Sequence, residues 1–387
     1  MSKSILVHVT GTDRPGITFG LLEILASAGA EVLDMEQTVV HDRLNLSLLV
    51  DIPESASTVK DLLYYGWQKS MSIEFEVVEA EVSPPPSPVR HAVTVLGREL
   101  SAAALAGVAD AIAGGGGNID RIAQLSRTPV FSYELIVSGG DAGDMRSRLL
   151  QSSVRHGVDV AIQREGLGRR AKRLVFLDVD STLIQDEIID LLADEAGVQN
   201  EVVAITASAM AGELDFTESL RLRVALLAGL DQAALDRAQA RVRLTPGART
   251  FVRTLRRLGY TTAAVSGGFQ FFVDKVGAEL GIDHVFANEL EIVDGVLTGQ
   301  LIGPIVDRKR KAELLVELAN REGVPLEQTV AVGDGANDLD MLATAGLGVA
   351  FNAKPIVQEA ADTSVSVPYL DAILFVLGIR REDVEED

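Results

Sequence analysis

Two aspartates, Asp178 and Asp180, stand one residue apart where the apolar run LVFL (174–177) ends, and two hydroxyls, Ser181 and Thr182, follow them. Carboxylates this close at a strand end repel each other and resist losing water, so positive charge must reach them from elsewhere. Three more stretches also follow runs that read as buried strands or precede a helix: VSGG (265–268), DRKRK (307–311) and GDGAND (333–338). Open α/β sheets hold their ligands beyond the carboxyl ends of the strands, so adjacent strand ends would bring Asp178 and Asp334 together. Converging carboxylates need a hard cation, and an oxygen-only ligand set selects magnesium over zinc.

With such an ion, Asp178 can attack phosphorus as a nucleophile while the metal and Lys311 neutralise phosphoryl oxygens. Asp180 is placed to protonate a leaving alkoxide and then to deprotonate a water. Ser266 and the Gly267–Gly268 backbone can hold the remaining phosphate oxygens. Lys309 and Arg310 compete with Lys311 for the phosphate, and helix phase leaves that choice open. Ser181 and Thr182 read as caps and phosphate neighbours rather than nucleophiles.

The elements that must position these groups follow from pattern and punctuation. From Arg169 onward strands and helices alternate, with a helical stretch over 187–229, which predicts a doubly wound, Rossmann-like parallel α/β sheet with a helical cap after its first strand. The segment ELEIVDGVLTG reads as a hairpin turning at Asp294–Gly295. Ahead of this lie two diverged copies of a small β-α-β-β-α-β module, each with a glycine-rich break before its second strand (SAGAEV, GGGGNI). The predicted spans are 1–81 and 90–168 for the modules, 82–89 for a proline-rich linker, and 169–387 for the α/β domain, with its cap at about 188–244.

The 387 residues carry 35 basic and 56 acidic side chains, a net charge of −21. That balance argues against nucleic acid and anionic membranes as partners and fits cation binding. The absence of cysteine excludes disulfides and thiolate chemistry. No apolar stretch approaches the ~20 residues of a membrane span and no signal peptide is evident, so a cytoplasmic protein is expected.

DVDSTLI, VSGG, the lysine and GDGAND together resemble the four motifs of the haloacid-dehalogenase superfamily of phosphatases. DVDSTLIQDE, MAGELDFTESLRLRVALL and ANELEIVDGVLTG are similar to its branch that hydrolyses O-phospho-L-serine to serine and phosphate through an aspartyl-phosphate, the last step of serine biosynthesis. The resemblance implies magnesium on Asp178, Asp334 and the backbone carbonyl of Asp180, with Asp338 in support. It implies phosphate contacts from Ser266, Gly267 and Lys311, with Asn337 close by. It assigns Glu187 to the substrate ammonium and Arg223 to its carboxylate, with Met210 and Phe216 as apolar lid residues. The N-terminal half resembles tandem ACT modules, α+β ferredoxin-like domains that bind amino acids and pair between subunits. GTDRPGI (11–17) is the matching turn, which implies an effector such as serine near Asp13 and Gly16, and a homodimer. The second copy, LGRELSA, lacks the aspartate and proline. Two other readings keep part of this picture: a phosphatase for another small phosphomonoester, and an amino-acid-sensing regulator.

Overall fold

The structure, a computed structural model, describes residues 3–53, 57–79, 89–211 and 213–385. The chain forms two compact units, 1–87 and 88–387. Most of the proline-rich linker predicted at 82–89 lies outside the described residues.

The first unit runs β1 (Lys3–Thr12), α1 (Ile17–Ser27), β2 (Glu31–Val40), β3 (Arg43–Asp51), α2 (Thr58–Lys69) and β4 (Ser72–Glu79). Its antiparallel sheet has the order β2-β3-β1-β4. Along β3 Leu44, Leu46, Leu48 and Val50 alternate with less buried positions, and this face packs beneath Leu21, Leu25 and Leu62 of the helices. Edge strand β2 is exposed at all ten of its residues.

The second unit begins with the same element order: β5 (Arg90–Gly97), α3 (Ala102–Gly114), β6 (Gly117–Ser126), β7 (Phe131–Gly139), α4 (Ala142–His156) and β8 (Asp159–Arg164). Its sheet order, β6-β7-β5-β8, repeats that of the first unit, so the duplication read from the sequence is present. The four glycines end α3 and start β6.

After α5 (Leu167–Arg170) comes β9 (Leu174–Asp178), then the cap helices α6 (Ile188–Ala196), α7 (Gln199–Met210), α8 (Phe216–Ala225) and α9 (Gln232–Gln239). The chain returns through α10 (Ala248–Arg257), β10 (Thr261–Phe269), α11 (Gln270–Leu280), β11 (His284–Val293), β12 (Val296–Ile302), α12 (Arg308–Arg321) and β13 (Thr329–Gly333). It ends with α13 (Leu339–Thr344), β14 (Gly348–Phe351), α14 (Pro355–Ala360), β15 (Thr363–Val365) and α15 (Ile373–Val376).

The seven-stranded sheet has the order β12-β11-β10-β9-β13-β14-β15 and is parallel except for β12. Central β9 pairs in parallel with β10 and β13 and is buried at every residue, which is why its sequence is continuously apolar instead of alternating. Strand β11 leaves the parallel sheet to form the hairpin with β12, turning through left-handed Asp294 and Gly295 (φ 53° and 77°). An isolated bridge between Ile184 and Leu244 ties together the two ends of the cap insertion.

The second module packs onto the sheet edge. The Ser366 amide donates to Asp159 Oδ2 at 2.7 Å, and Gln163 Nε2 donates to the Val376 carbonyl at 2.8 Å. Arg169, buried, pairs with Glu134 at 2.5 Å and Glu165 at 3.0 Å.

Candidate active site

Four chain segments converge beyond the carboxyl ends of β9, β10 and β13. Oxygens of Asp178, Asp334 and Asp338 lie within 4.8 Å of one another. Lys311 is 1% exposed, and its Nζ donates to Asp178 Oδ1 at 2.6 Å and Asp338 Oδ1 at 2.7 Å. Asp307 caps α12 by accepting from the Arg310 amide, which fixes the helix phase so that Lys311 turns inward. Lys309 stays in solvent beside Glu313, and Arg310 is held by Glu317. Of the three basic residues, Lys311 is the one buried in the floor of the site.

One lysine does not neutralise this floor. Burial first, then the Asp338 charge, push the Asp178 carboxyl well above its ordinary range despite Lys311. Burial and the same neighbour push Asp334 up to about 6. Lys311 is itself raised, as the two carboxylates outweigh its burial. A hard cation fits the remaining charge imbalance, and the oxygen-only donors suit such an ion. Asp338 already accepts from Lys311 and, through Oδ2, from the Gly335 amide at 3.0 Å. That leaves Asp178 and Asp334 as the freer carboxylates.

Asp180 is held by both halves of the domain. Its Oδ1 accepts from the Ile188 amide at the start of α6 (3.0 Å), and its Oδ2 accepts from Ser266 Oγ (2.7 Å). Desolvation raises its pKa, and these two hydrogen bonds oppose the rise. Ser266 Oγ also accepts from the Gly268 amide at 2.6 Å. It is fully buried, so its hydroxyl serves Asp180, while Gly267 and Gly268 line the open cleft. A Cβ on Gly268 would lie 2.8 Å from Asp180 Oδ2, so the close approach requires glycine.

The cap-capable reading of Ser181 and Thr182 needs correction. Neither hydroxyl caps the turn, which closes instead through a wide bond from the Ile184 amide to the Val179 carbonyl. Ser181 adopts φ 57°, a strained conformation for a non-glycine residue, and donates to Glu187 Oε1 at 2.7 Å. Thr182 donates to Asp334 Oδ1 at 3.3 Å. Both orient carboxylates.

The cleft above this floor encloses about 460 Å³. Glu187, Phe216 and Arg223 reach it from the cap, facing Asp178, Asp180 and Asn337. Phe216 begins α8, whose first turn is fixed by a reciprocal capping box between Asp215 and Glu218. Arg223 lines the cleft while Arg221 faces another depression, which separates the two arginines. Protein around Glu187 displaces enough water that, with the Asp180 charge, its carboxyl rises to about 7. The side chain of Met210 lies outside the described residues. Asp13 and Gly16 sit on an exposed turn of the first unit, where Gly16 takes φ 90° and the Tyr65 hydroxyl donates to its carbonyl at 3.2 Å.

Sequence reasoning missed Asp190, Thr206, Lys354 and Ile356, which also line the cleft. Lys354 had a readable signal: it follows the end of β14 and immediately precedes Pro355 at the first turn of α14.

A family model described as haloacid dehalogenase-like hydrolase matches residues 175–343, and ACT domain models match 3–76 and 89–163. The class defined by the sheet and its four motifs is therefore that of these hydrolases. A phosphoserine phosphatase of Streptomyces coelicolor is 52% identical over 99% of this chain and 94% of its own. Phosphoserine phosphatase SerB2 of Mycobacterium tuberculosis is 48% identical over 99% of this chain and 95% of its own. Among solved structures, a phospho-aspartyl intermediate analogue of phosphoserine phosphatase superposes with TM-score 0.51 at 46% identity, covering 53% of this chain and 98% of that one. A probable phosphoserine phosphatase from Vibrio cholerae superposes with TM-score 0.61 at 37% identity, covering 74% and 86%. The chain belongs to the phosphoserine phosphatase family of haloacid dehalogenase-like hydrolases, with two ACT domains ahead of the hydrolase domain. No helix among the described residues is long and apolar enough to cross a membrane.

Proposed function

We propose that the protein hydrolyses O-phospho-L-serine to L-serine and phosphate, as the last step of serine biosynthesis. The observation that carries this is that one anion and one cation, Glu187 and Arg223, line the same cleft, whose floor holds Asp178 and Lys311. A zwitterion attached to a phosphate needs that combination.

In this reading Asp178 Oδ attacks phosphorus, and the bond from phosphorus to the serine oxygen breaks. Asp180, whose pKa burial raises, delivers a proton to the serine oxygen. Asp180 then takes a proton from water, whose oxygen attacks phosphorus, and the bond to Asp178 breaks to release phosphate. Lys311 and the backbone at Gly267 hold phosphoryl oxygens, and Asn337 lies beside them. The buried hydroxyl of Ser266 acts through Asp180. Glu187 binds the ammonium, Arg223 the carboxylate, and Phe216 and Met210 exclude water as the cap closes. Asp178, Asp334 and the Asp180 carbonyl, with Asp338 in support, would hold a magnesium ion, which would offset charge on the phosphoryl group.

The test is phosphate release from O-phospho-L-serine against a panel of phosphomonoesters, with and without magnesium. Preference for phosphoserine and loss of turnover in chelator, restored by magnesium, are expected. Equal rates across the panel would remove the substrate assignment. A second expectation concerns pH. Glu187 must be ionised to bind ammonium, so kcat/KM for phosphoserine should fall as pH drops through about 7, the value its surroundings impose. An ester without an ammonium group should lack that limb, and Glu187→Gln should lose it while raising KM by about tenfold or more.

Regulation by an amino acid such as serine at Asp13 and Gly16 is supported by the ACT match and the exposed turn. A homodimer through the ACT-like domains is supported by strand β2, an unpaired edge that exposes Val32, Leu33, Met35, Val39 and Val40. Domain limits near residues 81, 90 and 168, a cap over about 188–244 and a cytoplasmic location complete the proposal.

A further inference from the structure

Five carboxylates and two cations, Arg223 and Lys354, line the active-site cleft of a chain whose net charge is −21. Lys311 lies in the floor with its ammonium on Asp178 and Asp338, so its charge is already met by theirs. Arg223 comes from the cap, among the charges of Glu187, Asp190 and Asp180. A phosphomonoester carries a charge of about −1.5 to −2 at neutral pH, and an acidic cleft repels such a group before any contact forms. Hydrolysis as described gives Lys354 no part.

The backbone of Lys354 is fixed while its side chain is unengaged. Strand β14 lies next to β13 in the sheet, and the turns that follow them, with Asp334 to Asn337 on one and Lys354 on the other, both line the cleft. Lys354 is extended (φ −66°, ψ 154°), as a residue before proline is constrained to be. Its carbonyl accepts from the Val357 amide at 2.9 Å and the Gln358 amide at 3.1 Å. Gln358 Nε2 closes the same turn by donating to the Ala353 carbonyl at 2.7 Å. The Lys354 residue is exposed, and no carboxylate pairs with it among the described residues. The wall that it shares with Asn337 borders the phosphoryl end of the proposed substrate, whereas Glu187 and Arg223 serve the amino-acid end from the cap.

We propose that Lys354 is the capture cation of this cleft: it draws the phosphate dianion in at the mouth and sets the affinity for it by charge, taking no part in the transfer steps. The proposal rests on the phosphatase reading for its substrate. A compact ammonium on a flexible stem suits the task, because it attracts as a point charge and needs no fixed geometry. An exposed charge acting at range is screened by salt, with a Debye length of about 10 Å at 0.1 M and about 3 Å at 1 M. That dependence separates capture from a buried hydrogen bond to phosphate.

The test uses the full chain with magnesium, and compares Lys354→Gln, Lys354→Glu and Lys354→Arg with the wild type. Two readouts are taken at low and high ionic strength: steady-state kinetics on O-phospho-L-serine, and calorimetric affinity for inorganic phosphate, which shares only the phosphate end. At low salt Lys354→Gln should raise KM by about threefold to tenfold, with kcat within about twofold, and should weaken phosphate binding by the same ratio. Lys354→Glu should exceed it in both, Lys354→Arg should stay close to the wild type, and about 0.5 M salt should shrink every difference. The proposal is overturned if Lys354→Gln and Lys354→Glu match the wild type, if their deficit is unmoved by salt, or if kcat falls with KM unchanged. A raised KM with unchanged phosphate affinity also overturns it, because the lysine would then serve the amino-acid end. Failure of the phosphatase reading would appear separately, as no phosphate release from O-phospho-L-serine by the wild-type chain, and the calorimetric comparison would still decide the role of Lys354.

Discussion

Asp178→Asn is expected to lower turnover of O-phospho-L-serine by about 10⁴-fold or more while leaving the protein folded. The substitution keeps the shape of the side chain and removes only its capacity to form and release a bond to phosphorus. Folding should not suffer, because the surroundings of Asp178 oppose its charge. Burial and Asp338 raise its pKa more than Lys311 lowers it. A carboxyl raised in the folded state favours folding when protonated, and that contribution is lost as pH rises from its ordinary range through the folded value. At neutral pH in chelator, the neutral asparagine should therefore melt at least as high as the parent. Towards acid pH the difference should shrink. Steady-state kinetics and thermal melts on the same samples check both parts; a catalytic loss accompanied by unfolding would leave Asp178 as a structural residue.

Lys311→Ala should damage stability and catalysis together. Lys311 is the buried cation between Asp178 and Asp338, and its removal leaves two buried carboxylates facing each other. Breaking such a pair from one side costs about 3–5 kcal/mol, which is a fall of roughly 10 °C in Tm for a domain of this size. The pH dependence has a definite sign. Without the lysine Asp178 loses the charge that lowers its pKa and gains a proton more readily in the folded state, so the deficit should be greatest at neutral pH and recover as pH falls towards its ordinary range. In the parent, Lys311 is raised above its usual value, so its contribution is complete at all neutral and mildly alkaline pH values. Turnover should fall by about 10³-fold even where the variant remains folded, since phosphoryl charge then lacks its fixed cation. Melts between pH 5 and 8, paired with kinetics below the variant's Tm, test this. A pH-independent deficit would contradict the charge argument.

The fold was readable wherever burial dictates composition. The run 174–177 is apolar at every position because β9 is covered on both faces, and β3 alternates because only one face is covered. Strand-end logic likewise found the segments that the structure brings together around Asp178, Asp180 and Asp334. What stayed hidden depends on contacts distant in sequence or on helix phase. Lys311 could not be separated from Lys309 and Arg310 until Asp307 was seen to cap α12. The roles of Ser181 and Thr182 depend on a wide turn and on Glu187 and Asp334, and local propensity, which favours caps, carries no sign of either. Asp190 and Thr206 reach the cleft only because the cap helices fold back over the sheet.

The central claim is that Asp178 carries the phosphoryl group between its two transfers. Rapid acid quenching of the enzyme turning over O-phospho-L-serine, followed by borohydride reduction and peptide mapping, measures this directly, because acid preserves an acyl phosphate and the hydride converts it to homoserine. The account predicts homoserine at position 178, in amounts that rise to a steady level during turnover and vanish without substrate. Phosphate release with no modified residue, or with modification at Asp180 or Asp334 instead, would contradict it.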